Sequence, residues 1–382
     1  MAAARKYDLV LYGASGFTGR QTVEYCRRFA PPGLRWAIAG RNPDKLDSVN
    51  TAGVDVLVAD SRDETALDRL ASATRVVAST AGPFSVYGSQ LVEACVDNRT
   101  HYCDITGETP WIRRLIDRHH DKAQAEGTRI IPGCGFDSIP SDYGAWMASR
   151  LVQECQRVTA FFRMAGGLNG GTMATAMHLS ATGEMASADD PFLLDPAPAA
   201  YSEAERARNA DPRGVRFDPD LQALVAPFFM GPINTRIVRR TQALQGVRFD
   251  YQEYMQFDSA TMAHAASNIS AVFSKVIGTG FGRWMVRPLL PAPGEGPSDK
   301  TMDTGFFECL FMAHGKDGST ARFVVKGDGD PGNRITVKCL CESAFVLASG
   351  TPGAAGVVTP VCGMGEALVE RLRHARLVLD RL

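Results

Sequence analysis

Three glycines, spaced three residues apart, separate an apolar run from a helix-compatible stretch near the N-terminus. The run 7–12 leads into Gly13-Ala14-Ser15-Gly16-Phe17-Thr18-Gly19, and residues 20–29 suit a helix. Glycines let a backbone approach phosphate oxygens, and the free amides of a first helical turn favour negative charge. The spacing G-x-x-G-x-x-G differs from the dinucleotide fingerprint G-x-G-x-x-G, and glycines also mark ordinary turns. In this setting we predict a pyrophosphate site. Its predicted contacts are Gly13, Ser15, Gly16, Phe17, Thr18 and Gly19.

The end of the second apolar run indicates which dinucleotide binds. Residues 34–39 are followed by Gly40-Arg41-Asn42, where an NAD site usually has an acidic residue for the ribose hydroxyls. A guanidinium pairs with a 2′-phosphate, whereas a carboxylate would repel it. Arg41 and Asn42 therefore predict that NADP(H) is preferred over NAD(H); the alternative is a solvated Arg41 heading a helix. Asp60 ends the third run and is expected either at the adenine edge or as a helix cap.

Three further loops contain residues that could take part in chemistry, because ligands of open α/β sheets bind beyond the carboxyl ends of the strands. The loop 80–88 is expected near the nicotinamide ribose, with Tyr87 supplying a hydroxyl. Its predicted cofactor contacts are Ala81, Gly82, Pro83 and Phe84. The loop 102–108 offers the carboxylates of Asp104 and Glu108.

The loop 133–143 offers Asp137, both as a cofactor contact and as an acid, and His178 on a later predicted helix could donate a proton. The candidates for a direct chemical role are Tyr87, Asp104, Asp137 and His178. Each has a structural alternative. A carboxylate can cap a helix, pair with Arg113 or accept from loop amides, and a lone aromatic or histidine is often packed. Cys103 and Cys134 lie in the same loops, but no adjacent base supports a thiol mechanism.

The first third of the chain alternates strand-like and helix-like stretches, which are needed to position these loops. The predicted strands are 8–12, 35–39, 54–59, 75–79, 101–105 and 128–131. The predicted helices are 16–29, 43–48, 64–71, 89–98 and 109–126. This rhythm predicts an α/β fold with a Rossmann-type, doubly wound parallel sheet. Thr109-Pro110 is interpreted as a helix cap followed by Pro at the first helical position.

After residue 141 the pattern changes to strands of another sheet. The predicted strands are 158–163, 247–251, 305–313 and 321–326. We therefore predict an NAD(P)-binding Rossmann domain over residues 1–140 and an inserted α+β substrate domain with antiparallel strands over 141–335.

Two other segments complete the predicted organisation. Residues 189–234, rich in Pro, Ala and charge, are expected to form a long lid-like loop. Residues 336–382 contain predicted helices at 336–348 and 365–379, which are expected to pack back on the Rossmann domain.

Composition limits the partners of this chain of 382 residues. Its formal net charge of −1 argues against nucleic acid, which needs an excess of Lys and Arg. Nine scattered cysteines, with no secretory signal, predict a reducing, cytoplasmic location. No metal site is expected, because the seven histidines form no ligand cluster. No apolar run reaches the roughly 18 residues of a membrane span. Peripheral membrane contact near 273–284 and the oligomeric state are left open.

Taken in order, the motifs resemble the saccharopine dehydrogenase-like oxidoreductases, and within them the bacterial trans-acting enoyl reductases of polyketide-derived lipid synthesis. The motifs that carry the resemblance are the glycine turn, 39–41, 81–88, 102–108, 135–142, 166–172, 293–298, 327–332 and 356–365. The resemblance implies a bipartite NAD(P)-dependent enzyme and a small-molecule or carrier-bound acyl substrate. It implies hydride delivery to the β-carbon of an enoyl thioester and a proton to the α-carbon. Tyr87 or the amides near 135–136 would then stabilise the enolate.

Two other functions remain open at this point. A C–N dehydrogenase of the saccharopine type needs fixed cations for dicarboxylates, and the candidates are Arg163, Arg236, Arg239 and Arg240. Nearby apolar residues suggest an acyl-accommodating surface instead, or ordinary core; they are Phe228, Phe229, Met230, Phe273, Phe281 and Trp284. The other function is a non-catalytic NADP(H)-binding sensor.

Overall fold

The first of two sheets is built from the predicted alternation of strands and helices. The structure, a computed structural model, describes residues 5–167, 170–184, 188–257, 259–292 and 294–382, so the motif positions Leu168, Asn169 and Pro293 lie outside the described residues. The strands are β1 (Tyr7–Tyr12), β2 (Trp36–Gly40), β3 (Asp55–Val58), β4 (Thr74–Ser79), β5 (His101–Asp104) and β6 (Arg129–Ile131). The helices between them are α1 (Phe17–Phe29), α2 (Pro43–Val49), α3 (Glu64–Ala73), α4 (Phe84–Tyr87), α5 (Ser89–Asp97) and α6 (Thr109–Ala125).

All pairings in this sheet are parallel, and its order is β13-β6-β5-β4-β1-β2-β3, with β13 (Gly356–Val357) contributed by the C-terminal part of the chain. Leu9, Val10 and Leu11 of β1 are all buried, as expected for a central strand covered by helices on both faces. The Rossmann-type fold class is confirmed, and every predicted strand and helix of this part ends within two residues of the observed position.

Two local predictions in this part need correction. The short helix α4 was not predicted, because four residues are too few for a hydrophobic period. Thr109 is not the cap of α6 but already lies within the helix, and Glu108 occupies the cap position. The Glu108 side chain does not cap α6, because it binds the amides of another loop.

The second sheet is mixed rather than antiparallel. Its strands are β7 (Cys155–Ala165), β8 (Arg216–Asp218), β9 (Ala223–Pro227), β10 (Asp250–Gln256), β11 (Phe306–Gly315), β12 (Thr320–Asp328) and β14 (Val378–Arg381), in the order β14-β12-β11-β7-β10-β9-β8. β10 runs parallel to β7, which corrects the expectation of antiparallel strands throughout. The strand predicted at 247–251 begins only at Asp250, because Gly246 ends the preceding helix in a left-handed conformation with φ 69°.

The helices of this part cover the second sheet and join it to the first. They are α7 (Ile139–Ser149), α8 (Gly170–Thr182), α9 (Glu203–Asn209), α10 (Gly231–Gln245), α11 (Ala260–Ile277), α12 (Gly280–Val286) and α13 (Asp299–Thr304). Short helical turns occur at Pro198–Ala200, Arg287–Leu289 and Pro331–Ile335. Within the described residues, no helix combines the length and the apolar character that crossing a bilayer requires.

The stretch 189–234 is more regular than predicted. It contains α9 and the strands β8 and β9, which extend the second sheet through β10. Ser202 and Glu205 form a reciprocal capping box that starts α9, a signal present in the sequence. The expectation of a long loop without regular elements is therefore wrong, since pairing with β10 organises residues of weak local preference. The role of this stretch as a lid stays a prediction.

The C-terminal helix α14 (Thr336–Ser349) starts where it was predicted and packs against α1 and the strands β1, β4 and β5. The next helix, α15, spans Pro360–His374, but its backbone is not helical at Gly365, where φ is 52° and ψ is −143°. The helix predicted from residue 365 therefore begins as expected, after a short helical segment in which the Val361 amide donates to Asp142 at 3.0 Å. Helix α15 ends earlier than predicted because the chain enters β14, which pairs with β12 and buries Leu379.

Candidate functional site

The glycine-rich turn lies where the first sheet changes direction. β1 is flanked by β2 on one side and by β4 on the other, so helices leave the sheet in opposite directions at its carboxyl end. Ligands of open α/β sheets bind in this crevice. The turn is fixed to the neighbouring loop, because the Thr80 hydroxyl donates to the Gly13 carbonyl at 3.1 Å.

The three glycines of the turn have different roles. Gly13 has φ +83°, and a β-carbon there would lie 2.9 Å from the Ala81 amide nitrogen. A β-carbon on Gly19 would lie 2.2 Å from the Gly13 carbonyl oxygen. At Gly16, the one described atom within 4 Å of such a carbon is the Gly13 oxygen, at 3.4 Å. Packing therefore requires Gly13 and Gly19, whereas Gly16 faces space that a ligand could fill.

The first turn of α1 is suited to an anion. Gly16 is its N-cap, no side chain caps it, and the turn has no acidic residue. Ser15 and Thr18 are half-buried beside it. Uncapped amides and the positive end of the helix dipole attract a phosphate, so these residues fit the pyrophosphate of a dinucleotide.

Phe17 takes another role than the one predicted. Its ring lies under the Arg20 guanidinium, 4.8 Å from the ring centroid. A β-carbon on Gly296 would lie 2.4 Å from Phe17 Cζ, so the ring faces the loop before α13. The side chain thus contacts the loop before α13, which leaves the backbone of Phe17 as the part that could meet an anion at the turn.

Arg41 and Asp60 follow neighbouring strands, β2 and β3, and the charges of both act on the Tyr12 hydroxyl. Arg41 is exposed and Asp60 is half-buried. Burial, with the negative charge of Asp60 added, raises the pKa of the Tyr12 hydroxyl to about 12, while Arg41 opposes that shift. The exposed guanidinium of Arg41 thus lies at the end of β2, where it could meet a 2′-phosphate.

Asn42 and Asp60 both form hydrogen bonds within local turns. The Asn42 side chain accepts from the Lys45 amide at 2.9 Å and caps α2. Asp60 accepts from the Arg62 amide at 2.9 Å, while α3 is capped by Asp63, so the prediction of Asp60 as that cap is wrong.

The loop after β4 is held by a buried carboxylate. Glu108 accepts from the amides of Phe84 at 2.6 Å and Ser85 at 3.0 Å, and so caps α4. Phe84 was predicted as a cofactor contact, but its ring is buried, with its centroid 5.8 Å from that of Trp111, so the ring packs in the core. Before it, Ala81 and Pro83 are half-buried and Gly82 is exposed.

Asp104 is fully buried and bonded on all sides. Its carboxylate accepts from the Tyr102 hydroxyl at 2.8 Å and from the amides of Thr106 and Gly133, both at 3.0 Å. Burial raises the pKa of Asp104 to about 7, although these hydrogen bonds lower it. The group joins the loops after β5 and β6, an arrangement that favours a positioning role for Asp104.

Asp137 differs from these two carboxylates. It is half-buried at the start of α7, whose cap is Ser138, and burial alone raises the pKa of Asp137 to about 7. In the part of the chain that the structure describes, no cation or donor binds its carboxyl group. Tyr87, at the end of α4, and His178, in α8, are also half-buried. His178 lies on helix α8, whereas the other candidates lie in the loops that follow strands of the first sheet.

The structure also reveals a cluster that sequence reasoning did not select. The buried Asp330 carboxylate accepts from the Asn333 side chain at 2.6 Å and from the Gly167 amide. Arg334 donates to Gln21 of α1 at 2.7 Å and pairs with Asp299 at 2.8 Å. The glycine-rich motif 327–332 was the feature of the sequence that could have indicated this cluster. The cluster fastens the second sheet to the helix of the glycine turn.

Three arginines of α10 are buried and bound to backbone, which removes them as substrate cations. Arg236 donates to the Ala188 carbonyl at 2.9 Å, Arg239 to the Pro191 carbonyl at 3.0 Å and Arg240 to the Leu194 carbonyl at 2.6 Å. Burial lowers the pKa of Arg239 to about 9. These residues fasten the chain between 188 and 194; they are neither solvated nor directed into a site.

Comparison with known proteins decides the family. A model of the saccharopine dehydrogenase NADP-binding domain matches residues 9–131. A Mycobacterium tuberculosis protein with the name trans-acting enoyl reductase is 33% identical over 412 aligned residues, covering 99% of this chain and 98% of its own. A Mycobacterium bovis protein of that name is 33% identical over 412 residues, with the same coverage. The chain belongs to the saccharopine dehydrogenase-like oxidoreductases, in the branch of the trans-acting enoyl reductases.

Solved structures support the fold of this NAD(P)-dependent oxidoreductase. Saccharopine dehydrogenase (L-Glu forming) from Saccharomyces cerevisiae is 12% identical, with a TM-score of 0.59 over 98% of this chain and 99% of its own. Homospermidine synthase from Legionella pneumophila is 9% identical, with a TM-score of 0.54 over 99% of this chain and 92% of its own. The family model is that of an NADP-binding domain, which confirms the predicted cofactor.

No group of three metal-ligating side chains occurs among the residues that the structure describes. The nine cysteines are all free thiols.

Proposed function

We propose that this oxidoreductase uses NADPH to reduce the carbon–carbon double bond of an enoyl thioester presented as a small molecule or on an acyl carrier. The observation that carries the proposal is the similarity, over 99% of the chain at 33% identity, to a protein named for this activity. We further propose that residues 1–140 with the C-terminal helices hold the cofactor, while 141–335 hold the substrate.

When bound, NADPH would supply the hydride that reduction of the double bond requires. The chain contributes the means of holding and orienting the cofactor. The first-turn amides of α1 and the open face of Gly16 bind the pyrophosphate, and Arg41 binds the 2′-phosphate. Gly13 and Gly19 act indirectly by keeping the turn against the loop after β4.

On the substrate side, a proton must reach the α-carbon and the thioester oxygen must be stabilised as it gains negative charge. We assign the proton to Asp137, since it is half-buried, has no described partner and has a pKa raised to about 7. A carboxyl group with that pKa is protonated in a useful fraction near neutral pH. We assign the oxygen to the Tyr87 hydroxyl. His178 is the second candidate for the proton.

The charge distribution favours an acyl substrate over a dicarboxylate. Arg236, Arg239 and Arg240, three of the cations proposed for a C–N dehydrogenase, are used in holding residues 188–194. Helix α8 presents half-buried Met177 and Leu179, and its one titratable side chain is His178. Such a surface fits an alkyl chain better than a carboxylate.

The test is turnover with deuterium-labelled NADPH and a series of enoyl thioesters, followed by mass spectrometry of the product. We expect one deuterium on the β-carbon and oxidation of one NADPH per product. Reduction of an amino-acid-derived imine, with no reaction of the enoyl series, would support the C–N dehydrogenase instead. Tight NADPH binding without turnover of either substrate class would support a sensor.

A further inference from the structure

The helices α11 and α12 carry a concentration of exposed apolar side chains. Phe281 and Trp284 are 70% and 72% exposed, with ring centroids 5.8 Å apart. Ile269 is 70% exposed and Val272 is 59% exposed on the preceding helix. We name these four residues, with Met262 and Met285, the α11–α12 face. Exposed apolar residues are ordinary when scattered, but a contiguous group indicates an interaction surface.

Charge sets this face apart from the rest of the chain. Residues 259–294 contain Lys275, Arg283 and Arg287 but no Asp or Glu, in a chain whose formal net charge is −1. Lys275 and Arg287 are exposed beside the apolar residues. Arg283 donates to the Ile277 carbonyl at 2.9 Å, which keeps its charge within the face.

We propose that the α11–α12 face binds the surface of an anionic lipid bilayer. Trp and Phe side chains sit at the boundary between head groups and acyl chains, and Lys and Arg beside them attract acidic head groups. A second copy of the chain fits less well, since a two-fold interface would bring Lys275 and Arg287 of both copies together without acidic partners. Lysine is also depleted in protein interfaces.

The face is connected to the candidate site by helix α8. At one end of α8, Ser180 donates to the Ile277 carbonyl and accepts from Arg283 at 3.2 Å. At the other end, the Gly170 amide donates to the Glu295 carbonyl at 3.0 Å. Glu295 is followed by Gly296, which packs on Phe17. A helix of 13 residues is about 20 Å long. Membrane binding would therefore bring the substrate side close to the lipid, whatever the substrate is.

The test is flotation of the purified full-length protein with two kinds of vesicle. We expect binding to vesicles of equal parts phosphatidylglycerol and phosphatidylcholine, and much weaker binding to phosphatidylcholine alone. Trp284→Ser should weaken the partition about tenfold or more, and Lys275→Ala and Arg287→Ala about fivefold each. Phe29→Ser, which alters an aromatic residue 55% exposed at the end of α1, is the matched control and should bind as the wild type does.

Unchanged NADPH affinity of the variants will show that they are folded. Absence of wild-type binding to the anionic vesicles, or equal loss in Phe29→Ser, would overturn the proposal. So would a lipid-free dimer, detected by sedimentation, that Trp284→Ser converts to a monomer. These outcomes do not depend on whether an enoyl thioester is the substrate.

Discussion

Gly296 lies against the ring of Phe17, so that a β-carbon on Gly296 would come within 2.4 Å of Cζ. A second contact between the same regions joins Arg334 to Gln21 of α1 at 2.7 Å. Both contacts end on the helix that begins at the glycine-rich turn. The substrate side is thus fastened directly to the element that would hold the pyrophosphate.

Gly296→Ala should weaken this fastening. The added methyl group overfills the contact with Phe17, and overpacking typically costs about 1–3 kcal/mol. We expect a lower free energy of unfolding in urea and a weaker NADPH affinity by calorimetry. Gly280→Ala is the control, because its new carbon would be 3.9 Å from the Arg283 side chain. If the Gly296 variant matches the wild type in both measurements, the contact does not persist in solution.

Gly16→Val should separate folding from cofactor binding. Gly16 has φ −74°, which valine adopts, and its β-carbon would meet the Gly13 oxygen at an acceptable 3.4 Å. The protein should therefore fold, while the branched side chain fills the space needed by the pyrophosphate. Calorimetry should detect no NADPH binding by a variant with a normal thermal transition. Retained affinity would place the phosphates elsewhere.

Arg41→Asp should change cofactor preference. Loss of a charge-assisted contact to the 2′-phosphate weakens NADPH binding roughly tenfold to a hundredfold, with little effect on NADH. Arg69→Asp makes the same charge change on an exposed position of α3 and should alter neither affinity. Equal losses for both cofactors in Arg41→Asp would mean that this residue does not contact the phosphate.

Asp137→Asn should remove a pH dependence from turnover. The pKa of Asp137 is raised to about 7, so the proposed donor is protonated below that pH and the wild-type rate should fall as pH rises above it. The variant should be slower by roughly a hundredfold or more, with a flat profile above neutral pH. His178→Gln should keep the wild-type profile. If the fall in rate above neutral pH disappears in His178→Gln and persists in Asp137→Asn, His178 rather than Asp137 is the proton donor.

Asp142→Asn should flatten the pH dependence of stability. Burial raises the pKa of this carboxyl, which binds Thr241 and the Val361 amide, to about 7. Between pH about 4 and 7 the folded protein retains a proton that the unfolded chain has released, so its contribution to stability declines as pH rises and is constant above.

One such group contributes at most about 1.4 kcal/mol per pH unit. Urea unfolding across this range should show a smaller slope for Asp142→Asn than for the wild type. The exposed variant Asp44→Asn is the control and should keep the wild-type slope. An identical slope in Asp142→Asn would show that Asp142 titrates alike in both states.

Local signals in the sequence determined the Rossmann part of the molecule. Apart from the short helix α4, the strands and helices before residue 132, the glycine-rich turn and the family were predictable, because apolar period, glycine placement and order of motifs are properties of consecutive residues. The position of Arg41 at the end of β2 follows from the same pattern.

Tertiary structure decided what individual side chains do. Glu108 caps a helix that starts at residue 84, Asp104 joins two loops, and the arginines of α10 hold carbonyls more than forty residues away along the chain. Likewise, residues 378–381 form a strand because β12 offers an edge to pair with. Sequence spacing reports neighbours along a helix or strand, whereas these contacts depend on where folding brings distant backbone groups. Asp104 is hydrogen-bonded, whereas Asp137 lacks a described partner. Only the folded structure could reveal this difference between the two carboxyl groups.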